Sequence, residues 1–161
     1  MTFHIRPIDS ADDATMAAII RDVMKEHSAV GPGYSINDPE VDFMSGAYAQ
    51  ARCAYFVVER DSVVVGGAGI APLADADPQT CELRKMYFRP SARRLGAGSA
   101  ILRRCLDAAR GMGYRRCYLE TLALMQQATR LYERSGFRPV SMPLGLSGHS
   151  ACDRWYLLEF G

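Results

Sequence analysis

Between Arg93 and Ser99 the chain reads Arg-Arg-Leu-Gly-Ala-Gly-Ser, and these residue types suit one task, holding an anion. Before them, Cys81 to Phe88 has strand character: aromatic and aliphatic residues, with neither Gly nor Pro. Pro90 and Ser91 interrupt it. After the turn, Ile101, Leu102, Cys105, Leu106 and Ala109 recur at i, i+1, i+4, i+5 and i+8, one face of a helix. A strand that feeds a glycine turn into a helix leaves the first-turn N–H groups without intrahelical partners. They lie at the positive end of the helix dipole. Gly96 and Gly98 let a phosphate approach the main chain, and Arg93 and Arg94 add positive charge. The spacing predicts a diphosphate-bearing cofactor on this turn.

Two familiar phosphate turns do not fit the letters. A P-loop needs Gly-Lys followed by Ser or Thr, and no Lys follows Gly98. A dinucleotide fingerprint needs a third glycine where Ile101 stands, after a buried parallel strand. The strand here carries Glu82, Arg84, Lys85 and Tyr87, which predicts half-solvation instead.

The elements around the turn can be read on both sides. Phe3 to Ile8 forms a short strand. Ser10-x-x-Asp13 resembles a capping box, and Met16, Ile19, Ile20, Val23 and Met24 mark a buried helix stripe. Glu26 to Asp38 is loop-like, and a weaker helix is expected through Val41, Phe43, Met44 and Tyr48. Ala54 to Glu59 and Val63 to Ala71, joined at Arg60-Asp61-Ser62, predict a hairpin. After Gly111 and Gly113, Cys117 to Thr121 reads as a buried strand. Ala128, Leu131, Tyr132 and Ser135 then mark a helix closed by Gly136. Phe137 to Val140 and Arg154 to Phe160 are the last strands, separated by a glycine-rich loop from Pro143 to Ser150. Strands and helices without strict alternation suggest a mixed sheet covered on both faces.

Length and composition narrow the class. A chain of 161 residues predicts one domain with a substantial core. Its net charge of +1, from 19 basic and 18 acidic residues, gives no general attraction to nucleic acid or to a membrane surface. No run of about 18 apolar residues exists to cross a membrane. The first residues lack the regions of a signal peptide. Five scattered cysteines, with no Cys-x-x-Cys, fit reduced thiols in the cytoplasm. Neither they nor His4, His27 and His149 have metal-ligand spacing, so no metal is expected.

Arg93-x-x-Gly96-x-Gly98 is preceded by Glu-Leu-Arg-Lys-Met-Tyr-Phe and followed by Leu131-Tyr132-x-x-x-Gly136-Phe137. This pattern resembles the GNAT superfamily of acyl-CoA-dependent N-acyltransferases, from Ile5-Arg6-Pro7 to Phe137. The resemblance implies an α/β fold over the whole chain. Its mixed, mostly antiparallel sheet would have about six to seven strands, flanked by about four helices. It also implies that the main chain of Met86 and Phe88 pairs with the pantetheine amides of acetyl-CoA. The pyrophosphate would sit on the amides of Arg94, Leu95, Gly96, Ala97, Gly98 and Ser99. Arg93 stands where the family has Arg or Gln.

Three chemical needs assign further roles. An alkylammonium, with a pKa near 10, must lose a proton. The thioester oxygen needs a hydrogen-bond donor, and the departing thiolate benefits from an acid. By resemblance, Glu82 deprotonates the amine through water, the Met86 N–H serves the carbonyl, and Tyr132 protonates the thiolate. Many relatives carry Asn where this chain has Met125, so that contact is absent. Acceptor-site candidates are Glu26, His27, Tyr34, Arg84 and His149, with Arg84 available for an acceptor carboxylate. No cysteine stands at a nucleophile position, which favours direct transfer from acetyl-CoA to a small-molecule amine or amino-acid-like acceptor. Acetylation of a protein amine and noncatalytic CoA binding are the alternatives. Homodimers are common in this fold.

Overall fold

The computed structural model describes residues 2–161. β1 (His4–Pro7) leads through a 3-10 turn at Ser10–Asp12 into α1 (Asp13–Glu26), whose buried stripe is the expected one. The cap lies one residue earlier than the sequence suggested. The Asp9 side chain accepts from the Ala11 N–H at 2.8 Å, and Asp12 accepts from the Asp9 N–H at 2.9 Å. Arg6 is the reason, because it holds both Asp12 oxygens at 2.8 Å and draws that carboxylate inward. Asp13 instead accepts from the main chain and hydroxyl of Ser45, at 2.8 and 2.7 Å. The second helix is also shorter than expected. A 3-10 turn at Pro39–Asp42 precedes α2 (Met44–Ala47), since Pro39 starts one turn and Phe43 leaves helical geometry before the next.

β2 (Ala54–Arg60) and β3 (Val63–Pro72) form the predicted hairpin, with Asp61 and Ser62 both at positive φ. That is the backbone of a two-residue turn matching strand twist. β4 (Thr80–Phe88), α3 (Ala97–Gly111), β5 (Arg116–Thr121), α4 (Gln126–Arg134), β6 (Arg138–Val140) and β7 (Arg154–Glu159) complete the chain. The seven-stranded sheet runs β1-β2-β3-β4-β5-β7-β6. Its pairs are antiparallel except β4 with β5. One face packs on α1 and α2, the other on α3 and α4, burying apolar side chains on both. Such a double-sided core is the main favourable term in folding.

Two irregularities of β4 set the geometry of the cleft beside it. Opposite β3, Gly67 pairs with Tyr87 but Gly69 with Arg84, so β4 holds one extra residue there. Lys85 takes the strain of this bulge, at φ 49°. The bulge reverses the alternation, so Leu83 and Met86 both join the core beneath α3 and α4. Opposite β5, pairing stops after Glu82↔Tyr118. Beyond that point the two strands splay apart, leaving the β5-facing edge of β4 without a ladder partner. Among the described residues, no helix is long and apolar enough to cross a membrane.

Candidate active site

The splay of β4 and β5 opens a cleft. Its lining includes Glu82, Arg84, Lys85 and Met86 of β4, Leu119, Glu120 and Thr121 of β5, and Met125, Ala128 and Tyr132 around α4. Tyr34 and Ser35 cover it from the loop after α1, and His149 and Cys152 from the loop before β7. The cleft has a volume of about 60 Å³, room for several water molecules.

At one end stands the anion turn. Gly96, at φ 84°, caps α3, and a side chain there would carry the cost of the left-handed region. Among the described residues, the N–H groups of Arg94, Leu95, Gly96, Ala97, Gly98 and Ser99 donate to no protein acceptor. They are therefore free to bind an anion. A Cβ on Gly98 would come within 3.1 Å of Leu131, so the helix start packs closely on α4. The arginines are less free than their positions suggest. Arg93 grips both oxygens of Glu26, at 2.6 and 2.8 Å, and donates to the Phe88 carbonyl at 3.1 Å. Arg94 meets Gln127: with the amide oxygen turned toward it, the contacts are 2.9 and 2.7 Å. Leu95 and Ser99 are exposed and Ala97 is buried.

Midway along the cleft are Met86 and Tyr132. Tyr132 projects from α4, whose end is fixed by Gly136 at positive φ and by the Phe137 N–H donating to the Tyr132 carbonyl at 3.0 Å. The ring packs edge-on to Phe137. Its hydroxyl has no hydrogen-bond partner among the described residues, and burial pushes the phenol pKa up, so it stays protonated at neutral pH. Phe88 is half-buried against the same core and does not line the cleft.

The far end is polar and buried, which corrects the half-solvated strand the sequence suggested. Glu82 is 2% exposed and Lys85 5%. Glu82 accepts from Arg84 Nε at 2.8 Å, while Arg84 Nη2 donates to the Pro72 carbonyl at 3.2 Å. The predicted shared face of these two residues is observed, but Arg84 is not left for an acceptor carboxylate. Burial pushes the Glu82 carboxyl above its ordinary value, against the pull of Arg84 and His149, with Glu120 adding to the rise.

Beside this pair, the Lys85 ammonium reaches Asp38 at 2.6 Å and Glu40 at 3.2 Å. His149 Nε2 meets the same Asp38 oxygen at 2.7 Å. Burial works to raise the Asp38 carboxyl, but His149 and Lys85 outweigh it and hold it below its ordinary value. Glu120 accepts from the hydroxyls of Tyr118 and Ser147. Glu82, Glu120 and His149 each offer an atom within 4.8 Å of the others. A cation would suit that spacing, yet all three already hold protein partners.

The cleft thus brings together Glu82, Arg84, Met86, Tyr132, Tyr34 and His149. It does not include His27, which ends α1, or Glu26, which serves Arg93. Sequence reasoning missed Asp38, Glu120 and the buried role of Lys85. Only Glu120 had a readable signal, since it alternates with Tyr118 and Thr121 is its neighbour on a short buried strand.

Comparison with known proteins agrees with this architecture. The profile of the acetyltransferase (GNAT) family matches residues 18–137. The chain belongs to the GNAT family. It is an acyl-CoA-dependent acetyltransferase, in keeping with its similarity to the uncharacterized N-acetyltransferase YjgM of Escherichia coli K12. The two are 40% identical over 156 residues, covering 96% of this GNAT chain and 93% of YjgM. An acetyltransferase of the family from Staphylococcus aureus Mu50 has a TM-score of 0.87 at 17% identity, covering 98% of this chain and 99% of its own. The yncA protein of Salmonella typhimurium, solved with acetyl-CoA, gives 0.78 at 23% identity, covering 99% and 94%.

Proposed function

We propose that this GNAT protein moves an acetyl group from acetyl-CoA to the primary amine of a small molecule, by direct attack within the β4–β5 cleft. The observation that carries the reading is the splay itself. It leaves the β4 edge near Met86 without a partner, between free amides at the α3 N-terminus and a buried carboxylate at Glu82. An extended pantetheine arm offers amides to complete that edge, and its pyrophosphate suits the Arg94 to Ser99 main chain. The solved neighbour bound to acetyl-CoA supports this choice of donor.

In this reading, Glu82 takes the first ammonium proton through water. Its raised pKa makes it a stronger base than an exposed glutamate. The Met86 N–H stabilises the charge that develops on the carbonyl oxygen. Tyr132, neutral and without a partner for its hydroxyl, gives its proton to the sulfur as the C–S bond breaks. Orientation of both reactants in one cleft supplies much of the rate.

The acceptor end points to the substrate class. Asp38, Glu40, Glu82 and Glu120 outnumber Arg84 and Lys85, and both cations are already engaged. An ammonium is favoured there, and an acceptor carboxylate finds no free partner. Calorimetric titration with acetyl-CoA, using NAD and ATP as controls, followed by an amine panel read by thiol release, tests the reading. Micromolar binding of acetyl-CoA alone is expected, with turnover on amines lacking a neighbouring carboxylate. A folded protein that binds no acetyl-CoA would refute it.

A further inference from the structure

The proposed reaction leaves a proton inside the protein. An alkylammonium has three N–H bonds and the amide product has one, so two protons leave nitrogen. One goes to Glu82 before attack. The second, released as the amide forms, restores the phenol of Tyr132 after that group has protonated the thiolate. The sulfur keeps one proton, and one remains on Glu82. At 2% exposure, the Glu82 carboxyl itself meets almost no bulk water. A buried acid that is not emptied cannot serve the next turnover.

We propose that His149, oriented by Asp38, carries this proton from Glu82 to solvent. The inference rests on Glu82 acting as the base. The three side chains form a gradient toward the surface, with exposures of 2%, 11% and 24% for Glu82, His149 and Asp38. A Glu82 oxygen and a ring nitrogen of His149 lie within 4.8 Å of each other, the span of one bridging water. The cavity has space for such waters.

The ring is also held in the useful form. Asp38 is kept ionised by Lys85 and can only accept, so the His149 proton sits on Nε2 and the Nδ1 lone pair is left to receive. Nδ1 takes the proton and the ring becomes an imidazolium. Nδ1 then passes that same proton on to water at the rim of the cleft, and the ring returns to the Nε2–H form that Asp38 favours. Asp38 is a positioning residue. Lys85 positions it in turn, from a bulge that aims a buried ammonium at the loop after α1.

Two measurements on the full chain test the proposal. Nitrogen-15 NMR of the histidine rings should show that neutral His149 carries its proton on Nε2. In Asp38→Asn the tautomers should mix. A neutral His149 protonated on Nδ1 would overturn the assignment. In kinetics, His149→Ala should lower kcat about 10- to 100-fold, at or below the low end of what a placed acid–base group supplies, since it acts on Glu82 and not on the substrate. Acetyl-CoA affinity should hold, and added imidazole should restore part of the loss. Turnover close to that of the unaltered protein, or a loss that imidazole does not relieve, would count against the relay. If the unaltered protein binds acetyl-CoA but acetylates no amine, the acceptor reading fails instead. The tautomer measurement still decides the Asp38–His149 assignment.

Discussion

The hydroxyl of Tyr55 donates to the main-chain carbonyl of Lys85 at 2.6 Å, across the width of β3. The bulge takes that carbonyl out of the regular ladder, and Tyr55 is the group that satisfies it. The reach is possible because the ring lies against Gly67 and Gly69. A Cβ would fall 2.6 Å from the ring at Gly67 and 2.4 Å at Gly69. Both glycines also sit close to the β2 main chain, so neither can give way cheaply.

Tyr55→Phe should therefore leave a buried carbonyl unpaired and cost about 1–3 kcal/mol in urea unfolding at neutral pH. The bulge sets the direction of Met86, so kcat should fall further than acetyl-CoA affinity. Equal loss of both would mean that the bulge does not act on the chemistry.

Glu82→Gln removes the proposed base while keeping the shape of the side chain. Turnover should drop by about 10²-fold or more, with acetyl-CoA binding retained. The pH profile has a definite sign. A base works when ionised, so kcat/KM should rise with pH through the Glu82 pKa. Burial places that acid limb above the ordinary value of 4.5. The limb should vanish in the variant. If it persists unchanged, another group is titrating.

Much of the fold was legible because its signals are local. The stripe of α1, the hairpin, the glycine turn and the Gly136 cap each arise from neighbours in sequence, and each is where spacing put it. The polar end of the cleft was not legible. Lys85 and His149 lie 47 and 111 positions after Asp38 along the chain, and no periodicity links them. The bulge hid a second fact. Strict alternation would send Leu83 and Met86 to opposite faces, whereas one extra residue puts them together. Gly66-Gly67-x-Gly69 was the visible trace, since glycine within a strand marks close approach of other groups.

Tyr132→Phe deletes a hydroxyl that bonds nothing in the protein, so stability should change by less than about 0.5 kcal/mol. Turnover should fall about tenfold or more if the phenol supplies the thiolate proton. Because burial raises its pKa, no loss of activity from Tyr132 ionisation is expected up to about pH 10. A variant with undiminished kcat would return Tyr132 to a packing role beside Phe137.

Arg93 and Glu26 give the last prediction. The guanidinium is shared between Glu26 at the end of α1 and the Phe88 carbonyl, a few residues from the free amides of the turn. A pyrophosphate on those amides would bring a second anion toward the same cation, and Glu26 would compete with it and repel it. Both effects have one sign. Glu26→Gln should tighten acetyl-CoA binding, by about threefold given how exposed the pair is. Arg93→Ala should weaken it about tenfold, and salt should reduce the difference between the two variants. Calorimetry at two ionic strengths measures both. If Glu26→Gln weakens binding instead, the Glu26 pair holds Arg93 in its working position, and Glu26 does not compete with the pyrophosphate.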